Sequence, residues 1–258
     1  MNIAGLAKTT LVDFPGVVAA TVFTRGCTFK CHFCHNPELV IPEKFNPLIP
    51  EDEFFTFLES RLGKLGGVCI TGGEPTINSD LPEFISHIKA LGFKVKLDTN
   101  GTNAAMLKKI IDDGDTDYIA MDIKAPLGKY AEITNTKVCH SALDAESMDP
   151  RVKPEDDNLN DLRTTDYGLL SNVQKSIKLI MNPRIPYEFR TTVAKPLHEI
   201  GDMEGIGKLI EGANRYFIQN YVKSKQISSE MLLSSFSDKE LLEMKKIVAK
   251  HVKMVEIR

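Results

Sequence analysis

The sequence predicts an α/β fold, a partial (β/α)6 barrel of parallel strands with the functional site on the rim formed by the strand C-termini. Three observations predict it. Short apolar runs alternate with longer segments of helical spacing, the alternation recurs about six times in 258 residues, and polar clusters fall at the ends of the apolar runs. Strands separated by helices pair in parallel through right-handed crossovers, so their C-terminal ends open on one side, where such folds place reactive groups. About six units make a curved sheet or partial barrel, and the length suits one domain over residues 1–258.

The opening, Ile3 to Leu6 and Leu11 to Asp13, is apolar and closes on the turn signal Phe14-Pro15-Gly16. Val17 to Phe23 is the first core strand, and it delivers Arg25-Gly26 and a cysteine-rich loop. Prolines 37, 42, 47 and 50 mark an irregular connection. A helix then carries Phe54, Phe57, Leu58 and Leu62, with acids at Glu51, Asp52 and Glu53 in its first turn. Gly66-Gly67 stops it, and strand Val68 to Thr71 runs into Gly72-Gly73-Glu74-Pro75. A helix from Asp80 or Leu81 to Leu91 leads to strand Lys94 to Leu97, which ends at Asp98-Thr99-Asn100-Gly101. Helix Ala104 to Ile111 and strand Tyr118 to Met121 follow, the strand ending at Asp122-Ile123-Lys124. The remaining pattern is helix Gly168 to Met181, strand Glu188 to Val193 with Arg190, helix Met203 to Glu211, strand Tyr216 to Tyr221, and an amphipathic helix from Asp238 to Val252.

One segment breaks this rhythm. Residues 136–166 hold no aromatics and eight acids against four bases, a composition that buries too little to order itself and predicts a flexible surface insertion. Its stretch Ser141 to Asp157 resembles peptides encoded by mobile palindromic repeats, which makes Cys139 and His140 passengers.

The formal charge of -3, without a basic run interleaved with aromatics, gives no electrostatic footprint for nucleic acid. The first eight residues lack the pattern of a signal peptide, and no window approaches eighteen uninterrupted apolar residues, so a soluble cytoplasmic protein with no membrane partner is expected. Five cysteines, three of them crowded within eight positions, suit a reducing compartment better than a disulfide framework. Cys69, in the run Val68-Cys69-Ile70, reads as a small core residue.

Cys27, Cys31 and Cys34, at spacing C-x3-C-x2-C, carry the chemistry. Three thiolates leave one position open, on a tetrahedral metal or on one iron of a four-iron cluster. A structural zinc would need a fourth ligand, for which His32 and His35 are the nearest candidates; a cluster needs only a small molecule on its last iron and is favoured.

That cysteine motif, with Phe33 before its last cysteine and Gly72-Gly73-Glu74-Pro75 at the next strand end, resembles the radical S-adenosylmethionine superfamily. Cys34-His35-Asn36-Pro37, Asp98-Thr99-Asn100-Gly101 and Asp122-Ile123-Lys124 are similar to its glycyl-radical-enzyme activating group. Leu11-Val12-Asp13-Phe14-Pro15-Gly16 resembles the branch that activates anaerobic ribonucleoside-triphosphate reductase.

The resemblance implies an enzyme, a radical S-adenosylmethionine oxidoreductase. Its three cysteines hold a [4Fe-4S] cluster that cleaves S-adenosylmethionine to a 5'-deoxyadenosyl radical, which generates a glycyl radical on a partner enzyme. It also implies that reduced flavodoxin or ferredoxin donates the electron. Gly72 and Gly73 then let the backbone approach the cofactor, Glu74 accepts from its ammonium group, and Phe33 and His35 flank the adenine or the cluster. Asp98, Thr99 and Asp122 suggest a monovalent-cation site, and Lys124 and Arg190 are cations for carboxylate or ribose contact or a plain salt bridge. Where pyruvate formate-lyase activators carry a histidine after a late strand, this chain has Tyr216-Phe-Ile-Gln-Asn-Tyr221, which singles out Gln219. Alternatives are activation of another glycyl radical enzyme, small-molecule radical chemistry such as carboxy-deazaguanine synthesis, an iron-sulfur electron carrier, and a zinc-binding structural module.

Overall fold

The computed structural model of the chain describes residues 1–136, 166–182, 185–223 and 231–258. All but the two end residues of the 136–166 segment lie outside these, as do Cys139 and His140. Eight strands form one sheet in sequential order, with β1 (Ile3–Thr10) and β8 (Val255–Ile257) as its edges. Between them stand β2 (Ala19–Thr24), β3 (Gly67–Gly72), β4 (Lys94–Thr99), β5 (Tyr118–Asp122), β6 (Tyr187–Val193) and β7 (Tyr216–Asn220). All pairings from β2 to β8 are parallel, and β1 runs antiparallel to β2. This is the expected α/β partial barrel.

Helices α1 (Glu51–Glu59), α2 (Leu81–Ala90) and α3 (Ala104–Asp113) make the first crossovers. A short α4 (Tyr130–Thr134) precedes α5 (Asp166–Met181), and α6 (Asp202–Leu209) and α7 (Asp238–Val248) follow. The local signals act as written. Gly114, at φ 78°, ends α3, and Ser237 and Glu240 form a capping box on α7. Apolar faces close the core: Phe54 and Phe55 of α1 pack on Phe84 of α2 at 5.3 and 5.4 Å between centroids, each buried ring contributing roughly 1.5–3 kcal/mol.

Two strands and the five-residue α4 escape the sequence pattern. β1 mixes Gly5, Lys8 and Thr9 into an edge that alternates poorly, and β8 is only three residues long. The rest differs by a few residues: the first core strand starts at Ala19 because Val17 still belongs to the turn, its N–H donating to Phe14 O at 3.1 Å. Among the described residues no helix is long and apolar enough to cross a membrane.

Candidate functional site

The cysteine loop leaves β2 through Gly26, at φ 96°, whose N–H donates to Leu39 O at 2.7 Å. Two aromatic anchors hold it. Phe29 packs on Tyr130 at 6.0 Å and Phe33 on His198 at 5.8 Å, both buried. With the rings inward, the Cys34 N–H donates to Cys31 O at 3.0 Å, and all three sulfur-bearing residues line a cavity of about 210 Å³ at the C-terminal rim. Burial pushes the thiols of Cys27, Cys31 and Cys34 up, Cys31 to about 11, so a metal group must displace their protons to bind. Among the described residues no three His, Cys, Asp or Glu side chains converge on a single-ion site. Three thiols spread around a cavity suit a cluster, whose irons stand apart, better than one zinc ion.

Strand β3 meets this loop through its glycines. A Cβ on Gly73 would lie 1.8 Å from Gly26 O, and one on Gly72, at φ 114°, would lie 2.4 Å from Thr24 N. In their place run backbone hydrogen bonds from Gly73 N to Thr24 O at 2.9 Å and from Glu74 N to Gly26 O at 2.8 Å. Both glycines line the cavity, yet the close approach that demands them is between two strand ends.

Glu74 is fully buried and is not among the residues lining the cavity. Its carboxylate accepts from Thr76 N at 3.1 Å, Thr76 Oγ1 at 2.5 Å, Thr99 Oγ1 at 2.8 Å and Asn100 N at 2.6 Å. Burial raises its pKa against the opposing pull of these donors. The residue expected to meet a ligand's ammonium group instead knots the ends of β3 and β4 together.

The side of the cavity formed by β4 to β6 is charged. Asp98 on β4 pairs with Lys96 through Oδ1 and with Arg190 Nη2 through Oδ2 at 3.2 Å. Asp122 on β5 takes Arg190 Nε on Oδ1 at 2.9 Å and Lys124 Nζ on Oδ2 at 2.8 Å. Burial works against the Asp122 charge, but Arg190 and Lys124 overcome it and hold its carboxyl well below the usual range. Lys124 is itself fixed at both backbone groups: its N–H donates to Tyr130 Oη at 3.1 Å, and its carbonyl lies 2.9 Å from His198 Nε2.

Of the residues singled out by sequence, Cys27, Cys31, Cys34, Phe33, His35, Gly72, Gly73, Asp98, Thr99, Asp122 and Lys124 line the cavity together. Arg190 stands behind its two carboxylates, and Gln219 is half-buried at the end of β7, outside the lining. His35, its pKa lowered by burial and by Lys124, meets Tyr221 edge-on at 5.8 Å. Sequence reasoning missed Asn100, whose amide donates to Thr28 Oγ1 at 3.0 Å and to Cys27 Sγ at 3.7 Å. Its place after the last strand residue of β4 was the available signal. Asn36, part of the Cys34-His35-Asn36-Pro37 motif, lines the cavity too, as do Thr71 and Thr192, which sequence reasoning did not single out.

A family model described as the radical SAM superfamily matches residues 21–143, the part that carries the cysteine loop, both glycines and both carboxylates. A protein of Methanocaldococcus jannaschii that bears the provisional name glycyl-radical enzyme activating enzyme is 28% identical over 261 residues, covering 99% of this chain and 95% of that one. A pyruvate formate-lyase-activating enzyme of Listeria monocytogenes is 34% identical over 128 residues, covering 44% of this chain and 49% of that one. Among solved structures, SuiB of Streptococcus suis bound to S-adenosylmethionine superposes with a TM-score of 0.58 at 14% identity, covering 90% of this chain and 48% of that one; at that identity the likeness speaks for the fold.

Proposed function

From a chain that belongs to the radical S-adenosylmethionine superfamily, in its glycyl-radical-enzyme activating group, we propose an activase whose partner is anaerobic ribonucleoside-triphosphate reductase. The chain is an enzyme of this type, with a [4Fe-4S] cluster and S-adenosylmethionine as cofactors. When bound, these supply reductive cleavage of the sulfonium carbon-sulfur bond and the radical that takes a hydrogen atom from a glycine Cα.

The protein's part is placement. Cys27, Cys31 and Cys34 hold the cluster at the mouth of β2, and the buried Phe29 and Phe33 keep the loop from moving with the thiols. Lys124, held through its backbone by Tyr130 and His198, offers an ammonium group to an anionic end of the cofactor, while Asn100 donates toward the Cys27 sulfur. Reduced flavodoxin or ferredoxin supplies the electron.

The observation that carries the choice of partner is the segment Leu11 to Gly16, which resembles the reductase-activating branch. It forms the turn between β1 and β2, with Asp13 Oδ2 accepting from Thr21 Oγ1 at 2.6 Å and Phe14 buried beside Tyr118. The likeness to pyruvate formate-lyase activation favours a second reading, a lyase-type partner. The test for both is one assay. Reconstituted protein with S-adenosylmethionine and reductant is incubated with the reductase or with a lyase, and a glycyl radical is sought by electron paramagnetic resonance. Signal on the reductase supports the proposal; an intact cluster with signal on the lyase alone refutes it. Cys31→Ala, unable to hold the cluster, should give no signal with either.

A further inference from the structure

The residues that suggested a monovalent-cation site do not fit one. All four carboxylate oxygens of Asp98 and Asp122 are already paired with Lys96, Arg190 or Lys124. The Thr99 hydroxyl is engaged as well, donating to Glu74 Oε1 at 2.8 Å and accepting from Gly101 N at 3.0 Å. Three protein cations surround two carboxylates, so an alkali ion added there would meet net positive charge and fully used oxygens.

Lys96 explains how this comes about. Residues two apart on a strand point to the same face, so Lys96 and Asp98 of β4 project together, and the four-carbon stem carries the ammonium group along the strand toward the rim. The side chain is only 1% exposed. Its other neighbour is Cys69 Sγ at 3.7 Å, a thiol whose pKa burial pushes up and which therefore stays neutral. A lysine buried to this degree persists only with a partner, and its partner is the Asp98 carboxylate at the rim.

We propose that the Lys96 ammonium group is a built-in cation, taking the place an alkali ion would hold beside Asp98, so that cofactor binding does not depend on which monovalent ion is present. Lys96 is then a positioning residue. It fixes the Asp98 carboxylate without competing for solvent ions, and Arg190 and Lys124 do the same for Asp122. The inference rests on S-adenosylmethionine binding at this rim and not on the identity of the activated partner.

The test is calorimetric titration of oxidised, cluster-loaded protein with S-adenosylmethionine at equal ionic strength in potassium, sodium and choline salts. The dissociation constant of the natural sequence should vary less than about twofold among the three. Lys96→Met should bind at least tenfold more weakly in choline and recover in potassium or sodium, an ion dependence that a merely structural lysine would not leave behind. Tenfold weaker binding by the natural sequence in choline overturns the inference whatever the variant does, as does a cluster-loaded Lys96→Met that is indifferent to the ion. If Lys96→Met does not fold, Lys96→Gln replaces it, and the natural sequence still decides on its own. Absence of cofactor binding in every salt overturns the cofactor reading and this inference with it.

Discussion

Two walls of the rim both hold carboxylates at strand ends, Asp98 and Asp122 lining the cavity and Glu74 buried behind the Gly72-Gly73 lining, and they neutralise them by opposite means. On the β3 side, Glu74 is surrounded by dipoles: two backbone N–H groups and two threonine hydroxyls converge on it, with no cation in contact among the described residues. On the β4 to β6 side, Asp98 and Asp122 are surrounded by charge, from Lys96, Arg190 and Lys124. Two of these four donors are backbone N–H groups, one just past β3 and one just past β4, so Glu74 fixes the shape of the rim. Side-chain cations leave the backbone free and set the field. The difference predicts that breaking the first wall costs the fold and breaking the second costs the ligand.

The largest effects should therefore come from the β3 wall. Glu74→Ala leaves Thr76 N and Asn100 N buried without their acceptor, and at about 1–3 kcal/mol for each the loss is roughly 2–6 kcal/mol. Gly73→Ala drives a methyl group into Gly26 O and should cost about 3 kcal/mol, the upper end of overpacking penalties, because both partners are backbone. Urea unfolding of cluster-free protein measures both. A Glu74→Ala midpoint close to that of the natural sequence would show that the knot is ornamental and the contrast between the walls false.

Next in size is the charged wall. Arg190→Met removes a side chain that spans both carboxylates, while Lys96 and Lys124 still hold one oxygen of each. S-adenosylmethionine should bind about tenfold more weakly, about 1.4 kcal/mol, with less loss of stability than Glu74→Ala. Calorimetry on cluster-loaded protein and urea unfolding without the cluster separate the two quantities. A stability loss exceeding that of Glu74→Ala, with cofactor affinity unchanged, would reverse the assignment of roles.

Much of this site is legible in the sequence because its parts are local. Cys27 to Cys34 lie in one loop, and Gly72, Gly73, Asp98, Asp122 and Lys124 each follow directly on an apolar run, so the parallel topology brings them together without further information. What stays hidden is partnership across strands. Glu74 reads as a ligand group because half of what consumes it is distant: beside the neighbouring Thr76, its partners Thr99 and Asn100 are 25 and 26 positions away. Lys96 alternates with Val95 and Leu97 as the exposed Lys94 does, and its role appears only when Asp98 and Arg190 stand beside it. β1 and β8 were missed for a different reason. Edge strands bury one side or a few residues, so periodicity is weakest where the sheet ends.

A smaller effect probes the seam between the walls, where Asn100 serves both. Its N–H completes the Glu74 knot, and its amide donates to the sulfur of Cys27 at 3.7 Å. Hydrogen bonds to cluster sulfurs raise the reduction potential. Asn100→Ala keeps the backbone donor and removes the amide, so the potential should fall by about 30–60 mV, up to a tenfold change in the reduction equilibrium. Redox titration followed by electron paramagnetic resonance reads it, and an unchanged potential would confine Asn100 to the knot.

The smallest effect is in pH, and its sign differs between the walls. Glu74 has a pKa raised by burial, so above its unfolded value of 4.5 the folded state holds the proton more tightly, and stability rises as pH falls through the folded value toward 4.5. Asp122 is held down by Arg190 and Lys124. Its contribution is fully present above its unfolded value of 3.8 and is lost as pH falls below that. Cluster-free protein should thus gain stability on mild acidification from one wall before losing it from the other. Glu74→Gln should remove the gain and keep the loss, and Asp122→Asn should do the reverse. Thermal unfolding from pH 7 to 3 on the three proteins checks the pair of signs; a gain that survives Glu74→Gln would place its origin outside the knot.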